Sequence, residues 1–182
     1  MFGSVQRKLM TPARHFVRAQ DGATAVEFGL VAAPFLALVF AILETALVFF
    51  AGQSLEAAAT DSARLIMTGQ AQTAGYSADD FKTAVCNRLA GGLFDCANGV
   101  TVDVKTYSSF SSINTAPPIT NGKFDTTNMA YTPGGPGDIV VVRLYYQWPI
   151  YVSMFSDNLS NLSGNQRLLV ATSVFRNEPY GG

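Results

Sequence analysis

The most pronounced pattern in the chain is a long apolar segment near its beginning. No charged residue lies between Phe28 and Leu43, and after a short polar interruption the apolar run resumes and reaches Ala51. A bilayer core is crossed by about 20 helical residues, so this segment is long enough to span one. Pro34 would bend the helix, and transmembrane helices accept such a bend when neighbouring groups satisfy the freed backbone. The pattern therefore predicts a membrane-spanning helix.

Helical spacing continues beyond the apolar segment, now with polar residues interleaved. Small and apolar side chains recur on one helical face, at Leu55, Ala58, Ala59, Ser62, Leu65 and Ile66. Gly69 is a natural helix stop. We expect one helix from about Ala23 to Thr68, with a lipid-soluble first half and an amphipathic second half.

A shorter helix is predicted next along the chain. Ser77 and Asp80 have the spacing of a capping box, which marks a helix beginning. An apolar face follows, and two glycines are expected to end the helix. The residues concerned are Phe81, Val85, Cys86 and Leu89 for the face, and Gly91-Gly92 for the end.

Three strands complete the pattern. Val100–Val104 alternates as a half-buried strand. Residues 138–148 are apolar on both faces, which predicts a central strand that Pro149 stops, and residues 167–175 form a third. Residues 108–137 are rich in Ser, Thr, Asn, Pro and Gly and predict a long loop, which either contacts a partner or varies freely at the surface. The fold class is α+β, with the amphipathic half of the long helix lying across an antiparallel sheet.

Charge adds an orientation to this picture. Only 14% of the 182 residues are charged, against a usual share of about a quarter, so the chain lacks the basic surface of a nucleic-acid binder. Four basic residues precede the apolar segment, and Asp21 is the one acid among them. Lysine and arginine beside a span stay in the cytoplasm, so the bulk of the chain should be exported. The basic residues are Arg7, Lys8, Arg14 and Arg18.

Two cysteines, Cys86 and Cys96, lie in the part predicted to be exported. An oxidising compartment favours a disulfide between them, although two buried free thiols remain the alternative. No catalytic or metal site is predicted: the one histidine, His15, precedes the span, and two cysteines ten apart lack zinc-site spacing. Asp79 and Asp80 are better explained as first-turn helix acids. We expect no enzyme activity and no cofactor.

Two carboxylates bracket the apolar segment. Glu27 lies at its cytoplasmic boundary and Glu44 lies within its outer half. A carboxylate at bilayer depth costs several kcal/mol unless it is neutral, paired or able to reach the interface. Each has an ordinary explanation, since Glu27 can be an interfacial residue and Glu44 can extend outwards to the headgroups.

The stretch Arg18-Ala-Gln-Asp-Gly22-Ala-Thr-Ala-Val-Glu27-Phe28 resembles the N-termini of type IV pilin-like proteins. With Pro34 and Glu44 following, it is more narrowly similar to the TadE/TadF-like pseudopilins of tight-adherence (Tad, Flp-type) pilus systems. The similarity is strongest from Arg18 to Gly69, and the C-terminal Phe175-Arg-Asn-Glu-Pro-Tyr180 is also similar to the end of TadE-like proteins. The exported domain departs from the much shorter major Flp pilins.

This resemblance implies processing and assembly. A prepilin peptidase would cleave after Gly22 and make Ala23 the first residue, and Glu27 would then pair with the terminal amine of a neighbouring subunit, with Phe28 beside it. Otherwise Gly22 merely starts the helix. The implied organisation is a basic leader at 1–22, a transmembrane helix at 23–51, an amphipathic extension at 52–69 and an extracytoplasmic α+β domain at 70–182.

The resemblance further implies a minor pilin or assembly subunit involved in adhesion and surface attachment. Its partners would be the prepilin peptidase, other pilin or pseudopilin subunits, the Tad inner-membrane platform and membrane lipid. The chain would cross the inner membrane once with its N-terminus in the cytoplasm and its domain in the periplasm, and could enter the extracellular pilus.

Two other interpretations stay open at this stage. One is a single-pass periplasmic binding protein or enzyme with an uncleaved anchor, which leaves the spacing of Gly22 and Glu27 to chance. The other is a secreted protein with an ordinary signal peptide, cut after the apolar run near Ala51-Gly52-Gln53 or Ala57-Ala58-Ala59.

Overall fold

The computed structural model describes residues 21–152 and 159–180. The four basic residues before the apolar segment lie outside the described residues, and so does His15. The chain divides into two compact units, the first ending at Ile42 and the second beginning at Leu43.

The long helix, α1, spans Asp21–Met67, in agreement with the helix expected from Ala23 to Thr68. It ends before Gly69, whose φ of +75° is the left-handed conformation that only glycine adopts without strain. A Cβ at this position would also overlap the ring of Tyr180. Gly69 therefore both stops the helix and admits the C-terminal tyrosine.

In the second unit, one face of α1 forms part of the core. The small side chains on this face let the helix approach the sheet closely, while Leu55 and Ile66 fill the space between them. The buried residues of this face are Val48, Ala51, Leu55, Ala58, Ala59, Ser62, Ala63 and Ile66. The predicted packing of the helix on the antiparallel sheet is thus confirmed, and the buried apolar face begins at Val48.

Short helices lead from α1 to the sheet: α2 (Gln70–Thr73), α3 (Ala78–Cys86) and α4 (Cys96–Gly99). The predicted capping box at the start of α3 is present, since the Ser77 hydroxyl accepts from the Asp80 N–H and the Asp80 carboxylate accepts from the Ser77 N–H. The prediction that this helix runs to Gly91-Gly92 is wrong. It ends at Cys86, because the N–H groups of Arg88 and Leu89 donate to the carbonyls three residues back and no longer four.

The three predicted strands are β1 (Val100–Tyr107), β4 (Ile139–Pro149) and β5 (Gln166–Arg176), in an antiparallel sheet of order β1-β4-β5. β4 is central, as its apolar sequence predicted. One sheet face packs on α1 in the main core, and the other covers a smaller cluster around Tyr145 and Leu168. These two cores explain why β4 is apolar on both faces.

Residues 108–137 are not a plain loop, which corrects the prediction. They contain a 3₁₀ turn at Phe110–Ser112 and a small hairpin of β2 (Ile119–Thr120) and β3 (Lys123–Phe124). The hairpin turns at Asn121-Gly122, where both residues have positive φ, as a tight two-residue turn requires.

Candidate membrane and assembly site

The apolar first half of α1 is exposed over its whole surface. Among the described residues, α1 is the one helix long and apolar enough to cross a membrane by length and composition. Large apolar side chains project from all sides of it, including Val26, Phe28, Leu30, Val31, Phe35, Leu36, Leu38, Phe40 and Ile42. A helix that is apolar all round and unburied needs an apolar surrounding, which lipid or other helices supply.

Gly22 and Ala23 lie in the first turn of α1, and both are exposed. A Cβ added at Gly22 would meet no atom within 4 Å. The backbone at this glycine is therefore open to another molecule, and its lack of a side chain is not explained by packing within the chain.

Glu27 follows Ala23 by four residues on the same helix, so both lie on one helical face. Glu27 is exposed, and Phe28 beside it has 73% of its surface exposed. No hydrogen bond or ion pair of Glu27 is present among the described residues. An exposed carboxylate on an apolar helix is available for a cation on a second molecule.

Glu44 has a different surrounding. It is 5% exposed, and its carboxylate accepts hydrogen bonds from the backbone N–H groups of Tyr151 and Val152, the latter at 2.9 Å. These residues follow β4, where the strand ladder no longer supplies partners for their N–H groups. Glu44 therefore satisfies two backbone donors of the domain.

A buried polar cluster lies in the sheet, and the alternating pattern of β1 did not predict it. The alternation of Val100–Val104 implies that Asp103 lies on the face opposite the valines, towards solvent, yet it is 2% exposed. It accepts from the Ala130 N–H at 3.0 Å and pairs with Lys105 at 3.0 Å and with its cross-strand neighbour Arg143 at 3.7 Å. Arg143 donates in turn to the Asn114 carbonyl at 2.9 Å. The segment 108–137 covers this face and is held to it by these contacts.

The pKa values of two groups record their local surroundings. Hydrogen bonds from the Ser77 hydroxyl and N–H lower the pKa of the Asp80 carboxyl, as the capping box at the start of α3 requires. Burial raises the pKa of Tyr145 to about 12. Within residues 21–152 and 159–180, no three His, Cys, Asp or Glu side chains come together to hold a metal ion.

The disulfide between Cys86 and Cys96 is formed, as the sequence predicted, with a Cα–Cα distance of 5.7 Å. It closes the segment between α3 and α4, which contains the partly buried Leu93 and Phe94. Phe94 contacts Tyr146 and Trp148 of β4 edge-on, with ring centroids 4.9 and 6.1 Å apart. The disulfide thus helps to hold the segment that contains Phe94 against the central strand.

Replacing both Cys86 and Cys96 with serine is expected to lower the free energy of unfolding by about 2–3 kcal/mol, because the bridge restricts a short loop of the unfolded chain. Urea unfolding of the full chain in mild detergent, followed by the fluorescence of Trp148, measures it. Alanine at the exposed Asp61 serves as the control and should leave the midpoint unchanged. Equal midpoints for the serine variant and the parent would contradict the expected contribution.

One comparison with known proteins finds a match, and it lies within the long helix. Residues 22–64 match the model of the family described as TadE-like protein. The match begins at Gly22 and includes Glu27 and Glu44, and it confirms the resemblance to TadE-like proteins of Tad pilus systems. That family consists of pilus components, not enzymes. No curated protein matches the chain, and no solved structure matches it.

Proposed function

We propose that this chain, TadE-like over its long helix, is a minor pilin of a Tad (Flp-type) pilus that is required for pilus assembly and contributes to surface attachment. The observation that carries the proposal is the family match over 22–64, which begins at the glycine of the expected cleavage site. The exposed apolar helix and the exported domain fit a subunit that is first a membrane protein and then a neighbour of other pilin helices.

The prepilin peptidase acts between Gly22 and Ala23 in this proposal. The site lies close to the first described residue of α1, and a Cβ added at Gly22 would meet no atom within 4 Å. Cleavage removes the leader 1–22 with its basic residues and leaves an amine on Ala23, directly before the apolar surface.

Glu27 then receives that amine from a neighbouring subunit. Both charges would be costly at bilayer depth when unpaired, and pairing between subunits removes both costs together. Exposure of Glu27, with no cation of its own chain near it among the described residues, supports this role. Phe28 presents an apolar ring beside the pair.

The proposal also assigns the remaining parts of the chain. Residues 23–51 cross the inner membrane, 52–69 continue the helix into the periplasm, and 70–182 form the periplasmic domain, with the N-terminus cytoplasmic before cleavage. The partners are the peptidase, other pilin or pseudopilin subunits, the inner-membrane assembly platform and lipid. Loss of the leader would allow the subunit to leave the membrane and enter the extracellular pilus.

The alternatives fit less well. An ordinary signal peptide cut near residue 51 or residue 59 would remove α1 residues that form the core, since Ala51 and Leu55 are both fully buried. An uncleaved single-pass anchor of a binding protein or enzyme agrees with the helix, but it gives no reason for the glycine at the start of the family match.

Replacing Gly22 with alanine is expected to reduce leader removal severely, because the added methyl group must enter a peptidase subsite that accepts glycine. The measurement is the N-terminal sequence and gel mobility of the protein isolated from a piliated host. The matched control is Gly29→Ala on the same helix, where a Cβ also meets nothing within 4 Å and processing should be unchanged.

The N-terminus of the mature parent decides between the interpretations. Ala23 at the first position supports the proposal, whereas an intact Met1 favours the uncleaved anchor. Normal processing of the Gly22→Ala variant would contradict the assignment of the cleavage site.

Replacing Glu27 with alanine is expected to leave processing intact and to reduce piliation strongly, because the subunit amine loses its partner. Pili are counted by electron microscopy, and surface attachment is measured in parallel. Aspartate at the same position retains the charge on a shorter side chain and should restore part of the piliation. Full piliation with alanine at this position would remove the pairing role.

A further inference from the structure

The base of the domain carries an exposed apolar surface that adjoins the membrane helix. Tyr151, at the end of the segment after β4, is 76% exposed. On α1, the neighbouring turns expose Leu43, Leu47, Phe49 and Phe50. We call these five residues the collar. They belong to one compact unit, and between 47% and 76% of the surface of each is exposed.

The depth of the collar follows from the length of the apolar run. Counted from Phe28, a hydrocarbon core of about 30 Å takes about 20 helical residues and ends near Leu47. Glu44 then lies a few ångströms inside the outer boundary. Because the Tyr151 N–H donates to the Glu44 carboxylate, the segment 150–152 is held at the same level.

The hydrogen bonds of this segment suit such a depth. Two consecutive backbone donors in a water-poor region are costly when unpaired, and so is a carboxylate. Here each satisfies the other, since Glu44 accepts from the N–H groups of Tyr151 and Val152. In water, solvent molecules would satisfy both the carboxylate and the two N–H groups. Ile150 is 7% exposed and packs inward, which leaves the ring of Tyr151 as the outward-facing part.

We infer that the collar is a lipid-binding surface: the outer leaflet surrounds Tyr151 and the adjoining side chains of α1, so that the base of the domain and not only the helix is immersed in the membrane interface. Tyrosine is enriched at the membrane interface because its ring is apolar, whereas its hydroxyl group can reach water. The inference rests on the proposed membrane anchoring. Glu44 is the positioning residue that holds the segment 150–152 there.

Depth-dependent fluorescence quenching tests the inference on the full chain in phosphatidylcholine vesicles. The chain has one tryptophan, so Trp148→Phe provides a silent background, and Tyr151→Trp places a probe in the collar. Lipids brominated near the headgroup are expected to lower the emission of this probe by about half, and lipids brominated near the bilayer centre to lower it less.

Two further probes make the outcomes distinguishable. Phe40→Trp reports on the membrane helix, and Phe110→Trp reports on an equally exposed site of the domain, with exposures of 56% and 58%. Quenching at residue 40 but not at residue 151 overturns the collar and leaves the anchor intact. Quenching at neither overturns the anchor itself. Emission at residue 151 that depends on protein density and not on bromine shows a second copy on this surface and also overturns the inference.

Glu44→Ala tests the positioning role in the Tyr151→Trp background. Release of the segment 150–152 is expected to bring quenching at residue 151 to the level of the Phe110→Trp probe, with the Phe40→Trp value unchanged. Glu44→Gln retains one acceptor oxygen and should keep a larger share of the quenching than alanine does. Equal quenching in the parent, alanine and glutamine chains would overturn the role of Glu44, while the probe at residue 151 still decides the collar.

Discussion

Replacing Asp103 with alanine is expected to lower the free energy of unfolding by about 3–5 kcal/mol, because it leaves the buried guanidinium of Arg143 without its carboxylate. Asp103 is 2% exposed and Arg143 is 8% exposed, so water cannot take over the lost interaction. The Ala130 N–H, which donates to Asp103 at 3.0 Å, loses its acceptor as well. One substitution thus removes the carboxylate partner of Arg143 and of Lys105 and the acceptor of the Ala130 N–H.

The loss should be concentrated in the segment 108–137, which these contacts hold against the sheet. Arg143 keeps its bond to the Asn114 carbonyl, but its Nε already lacks a partner within the described structure. Urea unfolding of the full chain in mild detergent, followed by Trp148 fluorescence, gives the free energy. Hydrogen exchange of the Ala130 amide reports on the segment directly.

Two variants separate the charge from the packing. Asp61→Ala removes an exposed carboxylate from α1 and should change the stability by no more than about 0.5 kcal/mol. Replacing Asp103 and Arg143 together with valine and leucine should recover most of the loss, because no buried charge is then left unpaired. A loss below about 1 kcal/mol for Asp103→Ala would show that the cluster is hydrated in solution.

Replacing Leu55 with alanine is expected to cost about 2–5 kcal/mol, the range for truncation of a buried leucine that leaves a cavity. Leu55 is fully buried at the contact between α1 and the sheet. Its neighbours on that face, Ala51 and Ala59, are too small to fill the space, so the site cannot collapse easily. The same urea titration measures the loss.

Leu47→Ala is the matched control for Leu55→Ala. It makes the same substitution two turns earlier on α1, where the side chain is 47% exposed. In detergent it should change the unfolding free energy by less than about 1 kcal/mol, because little buried surface is lost. Equal effects at the two positions would mean that α1 does not pack on the sheet through the face containing Leu55.

The long helix and the central strand could be predicted because each has a simple local pattern. An uncharged run of this length predicts a helix that can span a membrane. The small residues at helical spacing after it predicted the buried face. The sequence of β4 is apolar on both faces, which predicted a central strand. The capping box at Ser77 and Asp80 and the pairing of Cys86 with Cys96 depend on nearby residues, and both are present.

The predictions failed where a distant segment changes the surroundings of a residue. Alternation in β1 placed Asp103 towards solvent, since a period of two says which residues share a face but not what covers that face. Asp103 and Arg143 are oppositely charged residues of two predicted strands, which could have suggested a pair. The register that places them opposite each other is a tertiary property. The end of α3 at Cys86 was likewise not visible in its apolar face, which continues to Leu89 after the helix has ended.

The candidate site divides in the same way. Gly22 and Glu27 were identified from the sequence, because their spacing along one helix is a local property and the family match covers it. For Glu44 the sequence determined only that a carboxylate interrupts an apolar run. Its partners are the N–H groups of Tyr151 and Val152, more than a hundred residues away, so only the tertiary structure decided that this charge is held by hydrogen bonds to the domain. The physical reason is that burial and hydrogen bonding are properties of the folded surroundings, whereas the length and polarity of a helix are properties of the chain itself.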